Sequence, residues 1–191
     1  PSATSNPLST SATLTVSVNW NPVTDLNGPG SLAGLPHDAN AQRDYVVTYT
    51  EKQPTVRSAT AHGFVRCAPT VVEALRDGTT PKGDVLAVAR ISGIQAAKRT
   101  PELLPLAHVI GVHGVVMDVE IADGGVQLRA EVKTADRTGV EMEALTAVTV
   151  AALAVVDMVK GVDRSAEIVS ARVTSKSGGR SGDWVRSQSD G

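Results

Sequence analysis

Between about Tyr45 and Lys176 the apolar residues recur with the periods of strands and helices; before Tyr45 they do not. Residues 59–68 read as a strand. Pro69 suits a first helical turn, so Thr70–Arg76 reads as a short helix that Gly78 stops. Asp84 can N-cap a longer helix from Val85 to about Ala97, with Lys98 and Arg99 favourably placed at its C-terminal end and Pro101 just beyond. A long strand is expected from about Val109 to Ile121, a turn at Asp123-Gly124-Gly125, and a returning strand over Val126–Ala135. Glu141–Lys160 reads as a helix so apolar on every side that it is expected to be buried, both in the core and at a subunit contact. It is not expected to cross a bilayer, because its uncharged run, Ala144–Val156, falls short of the roughly 20 residues required. Ile168–Ser175 supplies a last strand. The order β-α-α-β-β-α-β predicts an α+β fold, a ferredoxin-like sandwich with an antiparallel sheet, helices on one face and an inserted helix.

Residues 1–44 have another texture, rich in Ser, Thr, Asn, Pro and Gly, with no Lys or Arg before Arg43 and one apolar alternation, Leu14-Thr15-Val16-Ser17-Val18. A mostly disordered extension is expected there, followed by a domain over 45–186 and a flexible tail at 187–191. The segment lacks the basic start and apolar stretch of a signal peptide and the arginines of a transit peptide. Eighteen Lys and Arg against twenty Asp and Glu give a net charge of -2, so nothing in the totals calls for a nucleic-acid surface, and an anionic ligand needs a local cluster of cations. The single cysteine, Cys67, excludes a disulfide framework, a Cys-rich zinc site and a radical iron–sulfur cluster, and fits a reducing cytoplasm.

Three segments can carry chemistry. Pro81-Lys82-Gly83-Asp84 places a lysine beside a flexible glycine at a helix start, where the dipole attracts anions; taken alone, the segment favours a plain solvated lysine beside an N-cap, because most loop lysines are simply exposed. Lys98 to His108 combines two adjacent cations with a histidine able to move a proton, although a lone histidine is more often structural. Glu141 and Glu143 open the apolar helix and Asp157 and Lys160 close it, three residues apart and on one face. A carboxylate in a helix expected to be buried calls for a partner, and Lys160 is the natural one. The four histidines show no metal-ligand spacing.

Three stretches then carry a resemblance. Lys82-Gly-Asp-Val-Leu-Ala-Val-Ala-Arg-Ile-Ser-Gly-Ile-Gln-Ala-Ala-Lys-Arg-Thr100, Thr138-Gly-Val-Glu-Met-Glu-Ala-Leu-Thr-Ala-Val-Thr-Val-Ala-Ala-Leu153 and Lys176-Ser-Gly-Gly-Arg-Ser-Gly-Asp183 resemble, in order and interval, the signature stretches of the cyclic pyranopterin monophosphate synthases. The resemblance covers roughly residues 45–186. It implies a lyase of molybdenum-cofactor biosynthesis that rebuilds a cyclised guanosine triphosphate into a pyranopterin and releases pyrophosphate. Carried over by position, it implies Asp157, Lys82 and Lys160 as the reacting centre and Leu106, Ala107, His108, Met142 and Glu143 as substrate contacts. Glu141, Arg57, Lys98, Arg99 and Lys176 match further polar residues that line the pocket and hold the triphosphate. The lysines beside Asp157 would alternate as general acid and base. No cofactor is implied beyond Mg²⁺ accompanying the triphosphate. The family's homohexamer, a trimer of dimers with active sites at subunit interfaces, is implied as well, with neither nucleic acid nor membrane as partner and a cytoplasmic location.

The chain also departs from the family pattern. Pro105-Leu106-Ala107-His108-Val109 stands where relatives usually read Pro-Leu-Cys-His-Pro, Val156 and Val159 replace a tyrosine and a cysteine, and Val47-Thr48-Tyr49 replaces Val-Asp-Val. The charged set is complete, so an active enzyme with a more apolar pocket is expected. The alternatives are a catalytically silent homologue that binds a purine nucleotide, favoured by the missing cysteine, and an oligomeric interaction module, favoured by the apolar helix. Deleting residues 1–34 is expected to leave turnover and melting temperature almost unchanged, because that segment has too little apolar surface to offset its ordering entropy. A large fall in melting temperature on thermal unfolding would show that it packs on the core.

Overall fold

A computed structural model describes residues 14–17, 44–47 and 53–187. Strands β1 (Leu14–Ser17) and β2 (Asp44–Val47) pair antiparallel, Leu14 opposite Val47, within a unit formed by residues 1–51. The apolar alternation at Leu14 is therefore a strand. The rest of the expected disordered extension, and the tail beyond 187, lie outside the described residues.

The second unit, residues 52–191, holds a five-stranded antiparallel sheet made of β3 (Thr55–Arg66), β4 (Gly114–Ala122), β5 (Gly125–Asp136), β6 (Glu167–Ser177) and β7 (Trp184–Val185). The spatial order is β4-β5-β3-β6-β7. Without the two-residue β7, the strands lie in the order of the ferredoxin-like sandwich, and helices α1 (Pro69–Arg76), α2 (Val85–Lys98), α3 (Thr100–Leu103) and α4 (Glu141–Val159) complete the unit. Strand alternation divides the sheet. Ala59, Ala61 and Val65 of β3 and Val126, Leu128, Ala130 and Val132 of β5 are buried with α4, whereas the other face carries polar rungs such as Arg129 between Asp118 and Glu131, at 3.1 and 2.8 Å.

Close approach of α4 to the sheet rests on small residues. Its buried positions include Ala144, Ala147, Val148, Ala151 and Ala152, spaced to form one helical stripe. A Cβ on Gly63 of β3 would sit 2.5 Å from Val148 Cγ1 and 3.0 Å from the Ser170 carbonyl, so only glycine lets that valine down onto the strand. Gly93 plays the same part between α2 and α4, where a Cβ would lie 3.0 Å from the Ala147 carbonyl. Asp84 caps α2 as expected, its side chain accepting from the Ala87 N–H at 2.9 Å. Cys67 is buried beneath the hairpin turn, its N–H donating to the Gly124 carbonyl at 2.9 Å; burial first, and Asp163 second, push its thiol up to about 11.

Three expectations are corrected. The strand expected from Val109 begins only at Gly114, because side chains take over the ladder: the Ala135 N–H donates to His113 Nδ1 at 3.1 Å and Thr134 Oγ1 to the Gly111 carbonyl at 2.6 Å. Pro101 lies just beyond α2, as expected, and falls in the first turn of the short α3, where its missing N–H is harmless. Strand β7, too short for any period to reveal, forms because Gly178, Gly179 and Gly182, all at positive φ, turn the chain back so that Trp184 pairs with Lys176. Finally, α4 is not buried all round. By length and apolarity it could cross a bilayer, yet half of it packs on the sheet and α2, while Met142, Leu153 and Asp157 are exposed on the side that neither covers.

Gly63→Ala is expected to destabilise the protein by about 1–3 kcal/mol through overpacking. A urea melt checks it: the midpoint falls at constant slope, whereas an unchanged midpoint would mean that Val148 turns aside freely.

Candidate active site

The sequence-nominated residues gather at the two ends of α4. At the C-terminal end, Asp157 is bridged by two lysines. Lys160 Nζ lies 2.7 Å from Oδ1, and Lys82 Nζ donates to Oδ2 at 3.2 Å and to the Asp157 carbonyl at 2.8 Å. Local structure aims Lys82. Gly83, at φ +90°, and the Gly83 N–H to Thr80 carbonyl bond at 3.0 Å close a turn ahead of α2, and the lysine faces the end of α4 instead of its own helix start. There it also meets a terminal carbonyl of the helix dipole. Hydrogen bonding from Lys160 first, then Lys82, holds the Asp157 carboxyl below its usual range. The aspartate is not buried as expected: its side chain is 57% exposed in this chain.

The other cluster surrounds the N-terminal end of α4. A cavity of about 320 Å³ is lined by Leu106, Ala107 and His108 from the loop after α3, by Thr138 and Gly139, and by Glu141, Met142 and Glu143. Lys176 of β6 lies 3.7 Å from Glu141 Oε1 and also bonds Ser181. Glu141 folds back over Gly139, where any Cβ would meet its carboxylate. Arg57 is only 9% exposed and packs against Gly179, where a Cβ would collide with its guanidinium; its Nε donates to Thr55 Oγ1 and to the Asp136 carbonyl, both at 3.1 Å.

Glu143 carries the most unusual environment. It is 3% exposed, and its carboxyl is raised above the ordinary glutamate value, by burial first and by the negative charge of Glu141 second. The signal for this was in the sequence, since Glu143 opens the four-residue spacing Glu143, Ala147, Ala151, Val155 that faces the core. Two nominated cations stand apart. Lys98 lines a neighbouring cavity of about 170 Å³ with Ile94, Val112 and His113, and Arg99 pairs with Glu102 at 3.6 Å. Residues that pattern reading passed over are Thr138 and Gly139 in the pocket wall and His113, Thr134 and Asp136 beneath the pocket loop. Among the described residues no three His, Cys, Asp or Glu side chains gather as metal ligands.

The two clusters do not meet in one chain. Glu143 and Asp157 are separated by fourteen residues of unbroken helix, roughly 21 Å at ~1.5 Å per residue.

The family model for the MoaC family matches residues 46–179, well over half of the chain. The chain belongs to the MoaC family. Its relatives include the cyclic pyranopterin monophosphate synthase of Streptomyces avermitilis, 54% identical over 160 residues, which span 84% of this chain and 94% of the relative. The synthase of Streptomyces coelicolor is 56% identical over 153 residues, 80% of this chain and 90% of that one. A protein of the same name from Roseiflexus sp. is 48% identical over 156 residues, 81% and 99% of the two chains. The MoaC match takes in both clusters, from Arg57 to Lys176, and leaves out β1 and β7.

Burial of Glu143 has a consequence for stability. A carboxyl raised in the folded state contributes its stability while protonated, fully below the ordinary glutamate pKa, and loses it as pH rises through the folded value. Glu143→Gln, which cannot ionise, is therefore expected to raise the melting temperature by a few degrees near neutral pH, with the gain gone by about pH 4. Scanning calorimetry at the two pH values checks this; an equal shift at both would trace the effect to packing rather than to charge.

Proposed function

We propose that this chain is a cyclic pyranopterin monophosphate synthase, a lyase of molybdenum-cofactor biosynthesis that converts a cyclic dihydroguanosine triphosphate to cyclic pyranopterin monophosphate and releases pyrophosphate. The observation that carries the mechanism is the bridge from Lys82 through Asp157 to Lys160. One carboxylate balances only one of two ammonium groups. When either lysine gives up a proton, a neutral amine is left beside an intact ion pair, so a base and an acid stand within reach of the same substrate atoms. Ring opening and rearrangement turn on proton transfers of that kind, and closure of the cyclic phosphate needs one more, from the substrate hydroxyl that attacks the α-phosphorus as its bond to the leaving pyrophosphate oxygen breaks.

At the other end of α4, the pocket formed by the Leu106–His108 loop, Met142 and Glu143 would take the base and ribose portion. Lys176 and Arg57, with Lys98 and Arg99 closing from the end of α2, would neutralise the triphosphate and its leaving pyrophosphate. No resident metal is assigned; Mg²⁺ would enter with the triphosphate. A reduced cytoplasm suits the lone buried thiol. A silent nucleotide-binding homologue is not favoured, because Lys82, Asp157 and Lys160 are all retained and mutually paired, and a bare oligomerisation module leaves that pairing without a purpose.

The site is completed by a second copy in the family's hexamer. Met142, Thr146, Thr149, Leu153 and Asp157 follow one another at spacings of three and four along the side of α4 that the sheet leaves uncovered, a stripe running from one cluster to the other. Two such stripes packed antiparallel about their midpoint place Asp157 of one chain beside Met142 and Glu143 of its neighbour.

Asp157→Asn and Lys82→Ala are each expected to lower pyrophosphate release at least about a hundredfold. The melting temperature should move little, because exposed ion pairs contribute little to stability. Near-normal turnover in either variant would overturn the assignment. Glu143→Ala and Asp157→Asn proteins, unfolded and refolded together, are expected to regain about a quarter of wild-type turnover, since half of random two-fold pairs hold one intact site of two. No recovery, with co-assembly verified by native mass spectrometry, would place each site within a single chain.

A further inference from the structure

We infer that His113 is a positioning residue for the substrate pocket, acting as a latch that fixes the 104–113 loop to the end of strand β5; the inference rests on the pocket reading given above. The loop that presents Leu106, Ala107 and His108 to the cavity is itself exposed along most of its length, so its shape depends on its two ends. On the incoming side, the Leu104 N–H donates to the Thr100 carbonyl at 2.9 Å, and Thr100 is fully buried, with its hydroxyl turned to the Ala96 and Ala97 carbonyls.

On the outgoing side, residues 111–113 run beside residues 133–136 but exchange side-chain bonds in place of a regular ladder. The His113 N–H donates to the Lys133 carbonyl at 2.9 Å, and buried Thr134 Oγ1 reaches the Gly111 carbonyl at 2.6 Å. The Gly111 N–H donates to Asp136 Oδ2 at 3.4 Å, and the Ala135 N–H to His113 Nδ1 at 3.1 Å. That last bond requires an unprotonated Nδ1, with the ring proton on Nε2. The imidazole folds back over Gly111, where a Cβ would come within 3.2 Å of His113 Cε1, so the glycine is what lets the ring reach across.

Asp136 carries the coupling further. Its carbonyl accepts from Arg57 Nε at 3.1 Å while its carboxylate holds Gly111, so one residue ties the loop to a cation assigned to the triphosphate. His113 is not among the residues lining the cavity at the start of α4; it lines the smaller one beside Lys98. Its effect would therefore fall on how often the loop is in a binding-competent shape, which appears in KM more than in kcat.

The decisive comparison is His113→Leu against His113→Asn, because the asparagine Oδ1 can replace Nδ1 as acceptor for the Ala135 N–H and leucine cannot. His113→Leu is expected to raise KM for the cyclised nucleotide roughly three- to tenfold, the reach of one hydrogen bond, with kcat within about twofold, and His113→Asn to restore KM to within about twofold. Hydrogen exchange provides a readout that does not depend on turnover: the Ala135 amide and those of residues 106–110 should exchange faster in His113→Leu and at the wild-type rate in His113→Asn. An unchanged KM together with unchanged exchange in His113→Leu overturns the latch, as does an asparagine variant as impaired as the leucine one. Wild-type protein that binds the nucleotide without releasing pyrophosphate would instead overturn the enzyme reading, and the exchange rates would still decide whether His113 holds the loop.

Discussion

Helix α4 lies on the sheet at a separation that hydrogen and methyl side chains allow and larger ones do not. Gly63 beneath Val148 and Gly93 beside Ala147 set that separation, and the alanines between them keep it along the helix. With no Gly or Pro from Glu141 to Val159, the helix is a rigid spacer. The residues nominated for chemistry lie mostly about its two ends: the turn ahead of α2 brings Lys82 to one, while β3 and β6 bring Arg57 and Lys176 towards the other.

Two carboxylates on this one helix sit in opposite environments. Asp157, in solvent between two ammonium groups, is pushed towards permanent ionisation; Glu143, sealed under the pocket loop beside another acid, is pushed towards keeping its proton. The separation of roles follows from position alone, since the exposed stripe ends at the first and the buried stripe begins at the second. On the proposed function, one helix then serves both a charged reacting centre and a drier recognition pocket.

Much of this was legible in the sequence. The Asp84 cap, the Asp123-Gly124 hairpin, the extent of α4 and the succession of strands and helices along the chain follow from short-range rules of capping, turn chemistry and period. Lys82, Asp157 and Lys160 were nominated by spacing together with motif resemblance, and the fold brings them together. What was not legible is what depends on partners remote in the chain. The exposure of Asp157 could not be read from an all-apolar helix, because which side stays uncovered depends on where α2 and the sheet lie. The late start of β4 depends on a histidine and a threonine standing in for main-chain groups, which no apolar pattern records. Arg57 was placed by resemblance alone; its burial against Gly179 links two segments more than a hundred residues apart.

Cys67 has a consequence of a different kind. Its thiol stays protonated until pH nears about 11 and is sealed beneath the hairpin turn, and Ala107 occupies the pocket position where the resembled motif carries a cysteine. The described surface therefore presents no thiol for disulfide exchange or electrophiles to attack, and the exposed thioether of Met142 is the sulfur left in the pocket wall for peroxide to oxidise. Oxidation of this pocket would leave a methionine sulfoxide, which is polar and chiral, in place of a disulfide or sulfenate.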